Sequence, residues 1–279
     1  MRLGIRLHDT AVMPIEERLK NVKANGFECV HIALSKTDGL PSDTKALTPG
    51  YGMYLKRIFD EAGVDVAVLG NYQNLANPNE EKLKAIKERY RAHLKLAAVM
   101  GCGMVGTETG APNEDYRYDK TENRSQRALD IFVENLSSVV EDAQKLGVLI
   151  AIEPVYKHIV YDARRAREVL DRIKSPNLRI IFDPVNLVDP EELDRRDYVI
   201  DEAMELLSDE IDMIHLKDYI MEGDSMKCVG CGFGQMDYSR IVKFANEMKP
   251  YIHATLENTT PETARESLMF IRRLEEEMR

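Results

Sequence analysis

Short apolar runs alternate along the chain with longer stretches whose apolar residues recur every three or four positions. The short runs fall at residues 2–7, 27–34, 64–69, 104–107, 148–152, 178–182, 211–215 and 252–256. Each is too short for a helix of ordinary length and has the look of a buried strand. The longer stretches, with helical spacing, cover 15–25, 51–62, 80–100, 124–146, 163–173, 191–207, 238–248 and 261–278. Glycines at 26, 63, 101 and 147 stop four of these helices, and Pro261 is predicted in the first turn of the last. Residues 111–122 and 221–235 are expected as loops, the second rich in glycine.

Strand and helix thus alternate eight times. Successive strand ends lie about 36 residues apart between His8 and Glu257, the length of a strand–helix repeat. Such alternation implies a parallel sheet, and eight units in a chain of this size predict an α/β fold, the (β/α)₈ TIM barrel. No Pro/Gly/Ser-rich linker or break in composition divides the chain, so residues 1–279 are expected to form one domain. An open doubly wound sheet would need a glycine-rich turn after its first strand, and Leu7-His8-Asp9-Thr10 is not one.

The polar residues that close the strands then acquire a meaning, because barrels of this type carry their sites at the C-terminal ends of the strands. The fifth run ends at Glu153, with a proline next. The sixth ends at Asp183, again before proline; the seventh carries His215, and the eighth ends at Glu257. On neighbouring strands these four would converge. Three carboxylates and an imidazole suit a hard or borderline divalent cation, and three buried negative charges would otherwise lack compensation. Further candidates line the same mouth: Glu108 after strand four, Lys157 and His158 after Glu153, Asn186, Lys217, Asn71 after strand three, and His8. His31 and His93, in mid-strand and mid-helix, are read as structural, and His253 falls at the opposite end of the barrel.

Composition narrows the function classes. A net charge of −10 disfavours nucleic acid and anionic membrane surfaces. No run approaches a membrane span, and the chain opens on a strand rather than an apolar leader. A cytoplasmic, reduced protein is expected, with the spacing of Cys228 and Cys231 incidental and the charged end LEEEMR a solvated helix terminus.

The segments EP, FDP, HLKD and LEN at the ends of strands five to eight resemble the sugar phosphate isomerase/epimerase family of xylose-isomerase-like barrels. NYQNL, LAAVMGC and VGCGFGQMDYSRIV extend the likeness over nearly the whole chain. The resemblance implies that Glu153, Asp183, His215 and Glu257 bind one metal ion, Mn²⁺ foremost, with Mg²⁺, Co²⁺ or Zn²⁺ compatible. It also implies that Glu153 and Glu257 act as acid and base on opposite faces of a sugar or keto-sugar, through an enediolate. The chain departs from the epimerases where Asn186 stands in place of a histidine, and where no arginine follows His215, only Lys217. The same proton abstraction followed by loss of a leaving group would make a dehydratase or lyase. An apurinic endonuclease would need more histidines and a basic groove, and a non-catalytic sugar binder would not need both glutamates. A homo-oligomer is compatible with the family.

Overall fold

The computed structural model describes residues 1–223 and 225–278. Asp224, within the expected 221–235 loop, and Arg279, the last residue of the LEEEMR run, lie outside them. Eight parallel strands close into a barrel in which each pairs with the next along the chain and the last pairs with the first. They are β1 (Arg2–Arg6), β2 (Cys29–Ile32), β3 (Asp65–Gly70), β4 (Met104–Glu108), β5 (Leu149–Glu153), β6 (Leu178–Phe182), β7 (Ile211–Leu216) and β10 (His253–Leu256). Helices α1 (Ile15–Ala24), α2 (Pro49–Ala62), α3 (Glu80–Met100), α5 (Gln126–Leu146), α6 (Ala163–Ile173), α8 (Arg196–Leu207), α9 (Ser239–Met248) and α10 (Ala264–Glu277) follow the strands. Two short helices, α4 (Lys120–Asn123) and α7 (Pro184–Leu187), sit at the C-terminal face.

Local chemistry explains the boundaries. Asn79, Ser125 and Asp162 each cap a helix by accepting a backbone amide three residues on. Gly101 and Gly147 end α3 and α5 with φ of 77° and 66°, a region a side chain resists.

Three expectations need correction. The glycine-rich loop at 221–235 is in large part an antiparallel hairpin, β8 (Asp218–Glu222) with β9 (Ser225–Val229). Gly223 takes a φ of 63° between the two strands, whose mixed polar and apolar residues gave no clear strand pattern. The helix expected from 191 is a 3-10 turn, Pro190–Arg195, kinked at Glu192, and regular helix begins only at Arg196. The last helix starts at Ala264, with Pro261 ahead of it rather than inside its first turn.

Strand side chains alternate between the barrel interior and the helices, so every second residue shares a file. A small cluster of Cys29, Val68, Met104, Ala151, Ile181 and Met213 fills the lower interior. Gly106 belongs to the same layer: a Cβ there would meet Ile181 and Val68 at 2.7 Å. Two residues further along four of these files the chemistry changes. Cys29 gives way to His31, Ala151 to Glu153, Ile181 to Asp183 and Met213 to His215. The apolar plug is thus the floor of a polar cup.

Candidate active site

The cup is a cavity of about 250 Å³ at the C-terminal ends of the strands. Glu153 and Glu257 line it from β5 and the end of β10, His215 of β7 lies against both of them, and Asp183 stands between β6 and α7. All four are buried. Suitable ligand atoms of Glu153, Asp183 and His215 lie within 4.8 Å of one another, as do those of His31, His215 and Glu257. His215 Nδ1 lies 3.4 Å from Glu153 Oε2 and 3.3 Å from Glu257 Oε1.

Each carboxylate has one oxygen held by the protein and another turned inward. Asp183 Oδ1 accepts from the Val185 and Asn186 amides, at 3.0 Å each. Glu153 Oε1 accepts from Asn186 Nδ2 at 2.6 Å. Glu257 Oε2 accepts from Arg6 at 3.4 Å, while its Oε1 faces His31 Nδ1 at 3.5 Å. Both ring nitrogens of His215 and the second oxygen of Asp183 have no hydrogen-bond partner. Fully buried polar atoms are seldom left so. Orienting hydrogen bonds behind a set of inward ligand atoms is the arrangement of a metal site and its supporting layer. The residues present therefore fit a divalent cation.

Without a cation, the cluster's own positive charges offset its carboxylates. Burial alone would raise the Glu257 carboxyl, yet His215, Lys217 and Arg6 hold it well below the usual range. Glu153 is likewise lowered, against its burial, by His215 and Lys217. Burial opposes a charge on His215, but Glu257 and Glu153 pull it up to about 9. Asp183 is raised to about 6 by burial, with Lys217 acting the other way.

Lys217 is buried, and its Nζ lies 2.7 Å from Asp183 Oδ2 and 3.6 Å from Glu257 Oε2. Glu108 lies opposite Glu153 in the β4–β5 register and faces the cavity. Burial, then Glu153, lifts its carboxyl to about 7, and Tyr116, at a left-handed φ of 56°, donates to it at 3.1 Å. His8 and Asn186 also line the cavity.

The remaining sequence candidates stand outside it. Asn71 is buried and turned toward α3, accepting from Arg89 at 3.1 Å. Lys157 is exposed, its ammonium 5.1 Å from the Tyr156 ring. His158 packs edge-on against Tyr116 behind Glu108, with Nε2 3.9 Å from the carboxylate.

Sequence reasoning passed over His31. It stacks on His215 with ring centroids 5.1 Å apart, and its Nε2 lies 2.9 Å from the Tyr72 hydroxyl. Arg6, Tyr72 and Cys228 line the cavity as well. The missed signal was the alternation: Gly4 pairs with Cys29 and Arg6 with His31, so both belong to inward files.

A larger cavity, about 420 Å³, opens at the other end of the barrel. Its acids are already paired: Asp65 with Arg2 and His253, Asp212 with Arg179 and Lys249. The convergent buried ligand atoms without a hydrogen bond, both ring nitrogens of His215 and Oδ2 of Asp183, are at the C-terminal face.

No curated protein sequence matches the chain. Among solved structures, a D-tagatose 3-epimerase-like protein superposes with a TM-score of 0.77 at 18% identity, over 100% of this chain and 98% of the other. A 3-keto-D-glucoside 4-epimerase from E. coli gives 0.73 at 18% identity, over 98% and 99%. The IOLI protein, solved with a zinc atom, gives 0.71 at 17% identity, over 100% and 98%. Residues 19–274 match the family described as the xylose isomerase-like TIM barrel, and the chain belongs to that family.

Proposed function

We propose that this protein is a divalent-metal-dependent isomerase or epimerase of a sugar or keto-sugar, working by proton removal next to a carbonyl. The observation that carries the reading is the buried His215, without a hydrogen bond at either ring nitrogen, set between the carboxylates of Glu153 and Glu257 and grouped with that of Asp183. Glu153, Asp183, His215 and Glu257 would hold the cation. When bound, it supplies Lewis-acid stabilisation for the negative charge that a carbonyl oxygen gains as the neighbouring proton leaves. Epimerases that superpose on the whole barrel support a sugar as substrate.

The chain's own groups account for the proton transfers. Glu153 and Glu257 rise from β5 and the end of β10, with His215 of β7 between them. One takes the proton as a carboxylate; the other, having first taken a proton from solvent, gives it to the opposite face and is left as a carboxylate, which inverts the carbon. Asn186 fixes the Glu153 carboxylate in rotation, and Arg6 does the same for Glu257. The cavity volume suits a monosaccharide-sized ligand rather than a polymer.

Elimination has one observation in its favour. Glu108, near neutral charge balance at pH 7 and hydrogen-bonded to Tyr116, could protonate a departing oxygen. The two readings separate in one experiment. Keto-sugars are incubated with the protein and Mn²⁺ in D₂O, and deuterium at carbon is followed by NMR. Exchange with recovery of epimers supports the proposal. An unsaturated product signals elimination, and the absence of both removes the carbon-acid reading.

A further inference from the structure

The Lys217 ammonium sits among the candidate ligand carboxylates. Its backbone is clamped: the Tyr238 hydroxyl accepts from the Lys217 amide at 3.0 Å and donates to the Lys217 carbonyl. The next residue, Asp218, pins the chain further, accepting from the amides of Tyr219, Gly232, Gly234 and Met236. A lysine so anchored has only its side chain free to move. The ammonium is buried and lies 2.7 Å from Asp183 Oδ2. Asp183 Oδ1 is already taken by two backbone amides, so Oδ2 is the one atom that aspartate can offer. The contact with Lys217 is an ion pair without hydrogen-bond alignment, which leaves the oxygen's lone pairs unsatisfied. Glu257 Oε2, 3.6 Å from the ammonium, is shared with Arg6.

We propose that Lys217 is a built-in competitor for the divalent cation: it holds Asp183 Oδ2 in the metal-free protein, must swing off it when the cation binds, and so sets the affinity of the site. This rests on the metal-site reading above. The physical reason is charge. The ammonium neutralises part of the carboxylate cluster before a cation arrives, and stays as a nearby positive charge afterwards. Both effects weaken metal binding. The return is a pocket that does not carry bare carboxylates when empty, since an uncompensated buried charge is strongly unfavourable.

The test compares the full chain with Lys217→Met, which keeps the length and loses the charge, and Lys217→Arg, which keeps the charge. Mn²⁺ affinity is measured by titration calorimetry and by loss of the free-ion paramagnetic resonance signal. Lys217→Met is expected to bind Mn²⁺ at least about tenfold more tightly than the native chain, with Lys217→Arg staying close to native. Thermal unfolding gives the second readout. Metal-free Lys217→Met should melt lower than the native protein, and Mn²⁺ should raise its Tm by more than it raises the native one. A purely structural lysine would lower the Tm equally with and without Mn²⁺. Equal or weaker binding by a folded Lys217→Met overturns the competitor role and leaves the metal site standing. If neither chain binds Mn²⁺, Mg²⁺, Co²⁺ or Zn²⁺, the metal reading itself falls, and this inference with it.

Discussion

Asn186 offers the sharpest test of how the site is oriented. Its side-chain amide donates to Glu153 Oε1 at 2.6 Å, and its backbone amide donates to Asp183 Oδ1 at 3.0 Å. Asn186→Ala keeps the backbone contact and deletes the other. A hydrogen bond to a charged carboxylate is worth about 1.5–3 kcal/mol. If that bond holds Glu153 in its reactive rotamer, its loss raises the barrier by a like amount. The rate of solvent-deuterium exchange should then fall roughly 10- to 150-fold, since about 1.4 kcal/mol is a factor of ten. Mn²⁺ affinity should fall less, because Asp183 and Glu257 keep their own hydrogen bonds. Asn186→Asp should be worse than Asn186→Ala, as it sets a second carboxylate against Glu153. The assay is NMR-detected exchange under saturating Mn²⁺, with far-UV circular dichroism to confirm folding. Native exchange rates in Asn186→Ala would refute the orienting role.

Other consequences follow from the same geometry. Glu153→Gln and Glu257→Gln should each cut exchange by about 10²–10⁴-fold in a folded chain, and undiminished turnover in either removes that residue from the mechanism. Asp218→Asn turns two of four accepted amides into clashes of donor with donor; a loss of about 3 kcal/mol in urea-measured stability is expected, and none would show that the hairpin needs no such anchor. His93, buried in α3, is pushed down to about 4 by burial. That lies below its unfolded value near 6.5, so its contribution is complete above about pH 6.5 and drains away as pH falls toward 4. It amounts to about 3 kcal/mol, and His93→Gln should flatten that part of the stability–pH curve; an unchanged slope would assign it elsewhere.

The eight-fold alternation of strand and helix was legible because both periods are local. Burial on both faces makes a barrel strand a plain apolar run, and a helix beside it shows its stripe. The strand-closing position of Glu153, Asp183, His215 and Glu257 was legible for the same reason. The hairpin at 218–229 was not, since its glycine and short strands mimic a loop. Nor was the kink at Glu192, where a proline-led 3-10 turn precedes a regular helix of the same composition.

What the sequence determined by itself was the order of elements and the end of the barrel on which its polar residues stand. What tertiary structure alone decided was which of them meet. His31 reads as one more buried histidine until barrel closure brings β2 around to the strands on the other side of β1 and β10, stacking its ring on His215. Lys217, just past the end of β7, reads as a substrate contact in sequence, and the fold sets its ammonium against Asp183. Asn71 and Lys157 read as site residues, but their side chains turn to α3 and to solvent. Contacts between distant strands depend on the closure and stagger of the whole sheet, and no local pattern records those.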